Sequence, residues 1–245
     1  MRFSNGYWLT KPEYVMSYAT QCVRANKSDK ALQVISACRP VSHRGDVLDG
    51  GTLTVTFTAP RRNVIRVKVT HFAGAKVKEP RFETYEEDVT PVMDETEQYA
   101  TFTSGELTAR VLKADGQWQG DYMGGDKILT TSGFRAMGRA LRKEVGPCSL
   151  LPHGKSYMVE SLMLDVGENV YGLGERFGAY VKNGQTVDMW NADGGTCSDQ
   201  SYKCIPFYAS SRGYGIFVNS SDFSSSVSFF NSLEDNSVNF IIEKE

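Results

Sequence analysis

Leu53-Thr54-Val55-Thr56-Phe57-Thr58, then Ala59-Pro60-Arg61-Arg62-Asn63, then Val64-Ile65-Arg66-Val67-Lys68-Val69 decide the fold. In the first run apolar and hydroxyl side chains alternate. That is the period of an extended chain with one buried face, so Leu53, Val55 and Phe57 face a core and the threonines face water. The third run repeats the pattern with Ile65, Val67 and Val69 inside. Pro60 to Asn63 supply turn chemistry between them, and the whole reads as an antiparallel hairpin.

Working outward, Tyr99–Thr103 and Leu107–Val111 flank Ser104-Gly105, a short turn that again predicts antiparallel neighbours. Further strands are predicted at Tyr157–Leu164, Gly215–Val218, Val227–Phe230 and Val238–Ile242. Asn183-Gly184 between Tyr180-Val181-Lys182 and Gln185-Thr186-Val187 is the strongest local hairpin signal, because a type I′ turn needs positive φ at both central residues. Phe134, Met137, Leu141 and Val145 recur at helical spacing with Arg135, Arg139, Arg142 and Lys143 opposite, so a short surface helix or turn is expected despite Gly138. Lys76 to Gln98, rich in acids and carrying two prolines, reads as a long solvated connection. Many short strands with almost no helix predict an all-β antiparallel β-sandwich over residues 1–245, with no second domain. The chain ends on Phe240-Ile241-Ile242-Glu243-Lys244-Glu245 directly after a strand, and further polypeptide is expected to follow.

Composition narrows the function classes. A chain of 245 residues with 40 % hydrophobic content can bury a sizeable core. A net charge of −2 and a pI near 6.0 offer no basic field for nucleic acid or for an anionic membrane surface. No apolar run reaches signal-peptide or membrane-spanning length, so a soluble, cytoplasmic protein is expected.

Cys22, Cys38, Cys148, Cys197 and Cys204 form an odd set without CxxC spacing. Free thiols in a reducing compartment are the plain reading, with a Cys197–Cys204 bridge as the alternative. His43, His71 and His153 lie far apart, so neither a metal site nor a Ser-His-Asp constellation has local support, and no cofactor is expected. His71 continues a strand pattern and is expected simply to pack there.

Gly172-Leu173-Gly174-Glu175-Arg176-Phe177-Gly178 spaces its glycines as GxGxxxG with no βαβ unit around them, which excludes a dinucleotide fingerprint. Glycines there permit a tight turn or close sheet packing, with Glu175 and Arg176 paired. Trp190, Asn191 and Asp193 gather an indole, an amide and a carboxylate beside Gly194-Gly195. Aromatic faces stack on sugar rings while carboxylates and amides bind hydroxyls, so the mixture suits a carbohydrate. An Asx-turn after a packed tryptophan explains the same residues by spacing alone.

Tyr171-Gly172-Leu173-Gly174-Glu175-Arg176-Phe177, Asn183-Gly184-Gln185-Thr186-Val187, Trp190-Asn191-Ala192-Asp193-Gly194-Gly195-Thr196 and Tyr202-Lys203-Cys204-Ile205-Pro206-Phe207-Tyr208 follow one another in an order and spacing that resembles glycoside hydrolase family 31. Arg212-Gly213-Tyr214-Gly215-Ile216-Phe217-Val218-Asn219 extends the match, and Met1-Arg2-Phe3-Ser4-Asn5-Gly6-Tyr7-Trp8-Leu9 is similar to the start of α-xylosidases. The resemblance is strong from Met158 to Asn219 and thin through Lys76–Gln98 and Gly133–Gly146.

That resemblance implies an N-terminal sandwich of galactose mutarotase-like fold, packed on a (β/α)8 barrel that carries an aspartate nucleophile and an aspartate acid/base. Retaining hydrolysis needs both carboxyl groups about 5 Å apart, and the family supplies both from outside this segment, so the chain alone is expected to be inactive. What the family places here is a loop that helps form the site for the sugar beyond the cleaved bond. The matching residues are Asp193, Trp190, Asn191 and Tyr202, with Asp193 implied as a positioning group for an α-xyloside or α-glucoside oligosaccharide. Three rival readings stand beside it: an α-glucosidase of the same family, a stand-alone carbohydrate-binding module, and a purely structural module. The barrel is the implied partner, and a sandwich without it is expected to self-associate as a homo-oligomer.

Overall fold

The computed structural model describes residues 10–48, 50–71, 84–114, 116–142, 156–185, 187, 189, 191 and 201–219, with the backbone alone of 237–244. Its strands are β1 (Tyr14–Tyr18), β2 (Gln21–Lys27), β3 (Ala31–Ala37), β4 (Thr52–Arg61), β5 (Val64–Thr70), β6 (Val92–Glu95), β7 (Tyr99–Ser104), β8 (Leu107–Leu112), β9 (Gly120–Gly124), β10 (Lys127–Ser132), β11 (Gly138–Arg142), β12 (Ser156–Met163), β13 (Val170–Gly172), β14 (Phe207–Ser210), β15 (Gly215–Phe217) and β16 (Ser237–Lys244). Among the described residues the only helix is a 3-10 turn at Arg44–Val47. The fold is all-β with antiparallel sheets, as the alternating patterns predict. Two compact units divide the chain: Met1–Met16, Lys78–Phe82 and Ala140–Glu245 form one, and Ser17–Val77 with Glu83–Arg139 form the other.

In the second unit the sheet β2-β3-β4-β5 packs on the sheet β10-β9-β8-β7-β6. Leu53 and Val55 are fully buried and Phe57 nearly so, while Thr54, Thr56 and Thr58 stay partly exposed. Phe57 reaches Phe102 of β7 with ring centroids 6.4 Å apart, and Leu32, Val34, Ala109 and Val111 fill the layer around them. Each of the leucine, valine and phenylalanine side chains contributes roughly 1.5–3 kcal/mol by leaving water. The β4–β5 hairpin closes over Arg62-Asn63, where Asn63 takes a φ of 61°. Asn63 Oδ1 accepts the Glu106 N–H at 2.8 Å and Ser104 Oγ donates to the Arg61 carbonyl at 2.9 Å, so two hairpin tips are tied together. Gly105 is required at that junction, because a Cβ there would lie 2.0 Å from Asn63 Oδ1.

The first unit centres on the sheet β1-β11-β12-β16 and the smaller sheet β13-β14-β15. Tyr14 meets Tyr157 edge-on at 6.0 Å above Ala140 and Val159. Glu168 is buried and accepts the Asp165 N–H at 2.8 Å and the Ser210 hydroxyl, which joins the approach to β13 to the end of β14.

Three local expectations are corrected. Residues 138–142 form β11, not part of a helix: Met137 is fully buried while Phe134 is 85 % exposed, so the two do not share an apolar face. Gly138 admits the backbone of β1, since a Cβ there would meet the Ser17 carbonyl at 2.8 Å. Within the acidic connection, Val92–Glu95 pairs with β7 as an edge strand, and Glu87 N–H donates to the Pro60 carbonyl at 2.8 Å. Asn183-Gly184 makes a turn that no strand flanks among the described residues. Gly184 has a φ of 75° but Asn183 does not have positive φ, and Gln185 N–H donates to the Lys182 carbonyl at 3.0 Å, the pattern of type II. Such a turn lacks the twist that joins two strands. The expected strand at Val227–Phe230 lies outside the described residues.

Candidate functional site

The described parts of the family-like motifs, residues 171–177, 191 and 202–208, meet beside the sheet β13-β14-β15. Gly172, Leu173 and Gly174 take φ values of 121°, 73° and 88°, a run that turns the chain back against residues 203–208. Added Cβ atoms would lie 2.7 Å from the Phe207 carbonyl at Gly172 and 2.0 Å from the Lys203 carbonyl at Gly174. Glycine spacing here therefore serves close backbone packing. Leu173 carries backbone strain of about 1–2 kcal/mol, which its complete burial at least matches. Leu173 N–H donates to the Phe207 carbonyl at 2.9 Å and Glu175 N–H to the Lys203 carbonyl at 3.0 Å.

Glu175 pairs with Lys203 at 3.0 Å rather than with Arg176, and both partners are largely exposed, so the pair adds little stability. Arg176 turns the other way. Its Nε donates to the Leu173 carbonyl at 3.2 Å and its Nη2 lies 2.9 Å from Cys204 Sγ and 3.8 Å from Met189 Sδ. The buried Lys182 donates to the Ala179 carbonyl at 2.6 Å. Burial pushes its ammonium pKa down, and the charge of Arg176 pushes the same way.

Asn191 Oδ1 accepts the Cys204 N–H at 2.7 Å, and Asn191 forms an isolated parallel bridge with Ser201. Tyr202 is 66 % exposed beside them. The turn thus brings together Asn191 and Tyr202, two of the four residues expected at a sugar site, while Trp190 and Asp193 lie outside the described residues. Ser201 is a participant that sequence reasoning missed. It is buried, donates to the Glu175 carbonyl and accepts the Lys203 N–H at 3.2 Å. Nothing about one serine between a glutamine and a tyrosine signals that role.

Exposed rings cluster on the same unit: Phe177, Tyr180, Phe207 and Phe217 are all at least partly open, and Tyr171 meets Tyr180 with centroids 5.3 Å apart. Away from this region, His71 Nδ1 lies 3.0 Å from the Thr52 carbonyl and its Nε2 lies 2.9 Å from Arg139 Nη1. An arginine only donates, so Nε2 is the acceptor and Nδ1 carries the proton. Burial raises the thiol pKa of both Cys22 and Cys38, partly countered by Lys113 at the former and Arg139 at the latter. His153, Cys148 and Cys197 lie outside the described residues. Among the described residues no cluster of three His, Cys, Asp or Glu side chains could hold a metal, and no helix is long and apolar enough to cross a membrane.

Residues 52–225 match the model of the glycosyl hydrolase 31 N-terminal galactose mutarotase-like domain. The chain is 37 % identical over 222 residues to the α-xylosidase XylQ of Lactiplantibacillus pentosus, covering 90 % of this chain and 28 % of that protein. It is 36 % identical over 231 residues to an α-xylosidase of Emericella nidulans, covering 89 % of this chain and 29 % of the other. Among solved structures, the cycloalternan-forming enzyme of Listeria monocytogenes is similar in fold, with a TM-score of 0.69 at 14 % identity, covering 94 % of this chain and 20 % of that one. The chain therefore spans less than a third of the relatives it matches.

Proposed function

This chain belongs to glycoside hydrolase family 31, and from that premise we propose that it is the N-terminal accessory domain of a retaining α-xylosidase. The observation that carries the substrate class is its 37 % and 36 % identity to two α-xylosidases across about nine-tenths of its length. The catalytic carboxylates reside in a barrel that follows, and the reaction is hydrolysis of terminal α-xylosidic bonds in xylo-oligosaccharides. The setting is the cytoplasm. Trp190, Asp193 and Tyr202 contact the sugar beyond the scissile bond: indole and phenol give apolar faces, and the carboxylate accepts hydroxyl hydrogen bonds. Fixing that sugar restricts the orientation of the bond under attack and lowers the entropic part of the barrier.

Kinetics of Asp193→Ala in the full-length enzyme test the reading with two substrates, a xylosyl disaccharide and an aryl α-xyloside. The disaccharide should lose roughly 10- to 100-fold in kcat/KM, about 1.4–2.8 kcal/mol of transition-state binding, and the aryl substrate much less. Equal loss with both, or none, would overturn it.

A further inference from the structure

We infer that residues 85–88 form a charge-held strap, closed at low ionic strength over the cationic patch of Lys30, Arg61, Arg62 and Arg66 and lifted from it as salt rises. Glu86, Glu87 and Asp88 follow one another in sequence. Each finds a base on a different element. The Arg66 guanidinium of β5 lies 2.6 Å from Glu86 Oε1, Arg61 at the end of β4 lies 3.6 Å from Glu87 Oε1, and Lys30 just before β3 lies 2.5 Å from Asp88 Oδ1. The other carboxylate oxygen of Glu87 accepts the Arg62 N–H at 3.2 Å, and Arg61 also stands 5.0 Å above the Tyr85 ring. Among these contacts and the bond from the Glu87 N–H to the Pro60 carbonyl at 2.8 Å, only that last one involves no charge.

Apolar burial does not hold this stretch. Residues 84–88 are all exposed, and a fully buried residue returns only at Pro91, on the approach to β6. Attachment therefore rests on ion pairs in water, each weak on its own and open to counterions. Lys30 holds the pKa of Asp88 below its ordinary value, mainly through their hydrogen bond, and Asp88 raises that of Lys30 in return. With Glu86, Glu87 and Asp88 set against Lys30, Arg61, Arg62 and Arg66, closure largely cancels a patch that otherwise draws anions. The acid-rich connection thus occupies, with the chain's own carboxylates, the anion-facing side of the β4–β5 hairpin. This strap stands independently of the sugar-site reading.

Amide exchange in the full-length enzyme tests it, followed at Glu87 and Arg62 from about 0.01 M to about 1 M NaCl, where the screening length falls from about 30 Å to about 3 Å. The Glu106 amide serves as reference, because it bonds at 2.8 Å to the neutral Asn63 side chain at the same hairpin tip. Relative to Glu106, the Glu87 and Arg62 amides should exchange roughly tenfold faster at high salt, as exposed pairs weaken together and the segment opens locally. Glu86→Gln combined with Asp88→Asn keeps side-chain size and removes two charges. In that variant both amides should already exchange fast at low salt and respond much less to added salt. The inference is overturned if the ratio to Glu106 does not move with salt, or if the double variant behaves like the unmodified enzyme.

Discussion

Arg110 and Asp121 stand directly opposite each other on β8 and β9, with Nη2 2.7 Å from Oδ2. Asp121 is 2 % exposed, and its other oxygen accepts from Gln119 Nε2 and Thr131 Oγ1, both at 3.0 Å. Arg110 also lies over the Tyr99 ring at 4.8 Å. Removing only the cation leaves a buried carboxylate without its charge partner. Arg110→Ala should therefore cost about 3 kcal/mol in urea unfolding, and Arg110→Ala with Asp121→Ala less than the sum of the single changes. Additive losses would show that the pair does not interact.

Gly174→Ala and Gly184→Ala separate two uses of glycine. Both sites have positive φ, but a Cβ at Gly184 meets nothing within 4 Å while one at Gly174 meets the Lys203 carbonyl at 2.0 Å. Gly184→Ala should cost about 1 kcal/mol by thermal unfolding, from backbone strain alone. Gly174→Ala should cost several times that and raise amide exchange across residues 203–208. Similar costs at both sites would contradict this packing.

The 3-10 turn at Arg44–Val47 should depend on pH through Asp46. N–H groups of Ser42 and His43 donate to its carboxylate at 2.9 and 3.1 Å and hold its pKa below the ordinary value, with Arg39 helping. A depressed carboxyl contributes fully above its unfolded pKa, and the contribution is lost as pH falls through the folded one. Exchange or NMR shifts of the Ser42 and His43 amides should therefore show a carboxylate titration displaced below the normal carboxylate range. Asp46→Asn, which keeps an acceptor, should abolish that titration.

Native alkylation at neutral pH should label Cys22 and Cys38 slowly, since burial keeps both thiols protonated. In denaturant without reductant all five cysteines should react. Labelling of only three, with Cys197 and Cys204 found linked by peptide mapping, would contradict a reduced chain.

The β4–β5 and β7–β8 hairpins were legible because alternation, turn residues and strand length agreed locally. Phe134 to Leu141 misled because helical spacing arose by coincidence within a turn and a strand. What settled the matter was a partner strand whose backbone needs the space at Gly138. Asn183 misled differently: its side chain is spent on Glu168 and Val170, accepting from the Val170 N–H at 2.9 Å and donating to the Glu168 carbonyl at 2.8 Å. Glu175 found Lys203, 28 residues on, instead of the adjacent Arg176. Of the candidate site, the sequence offered Asn191 and Tyr202 but gave no sign of Ser201, and the bond from Cys204 to Asn191 depends on how the 172–174 turn folds back against residues 203–208.

The side-by-side meeting of Asn191 and Ser201 also bears on how such a protein can diversify. With both ends anchored on one turn, the closure cost of whatever lies between them grows slowly, about 0.6 kcal/mol for each doubling of length. Segments of different length and composition can therefore be exchanged at this place without renegotiating the sheets beneath. A graft that keeps Asn191, Ser201 and Gly174 should carry a new recognition segment onto an unaltered scaffold.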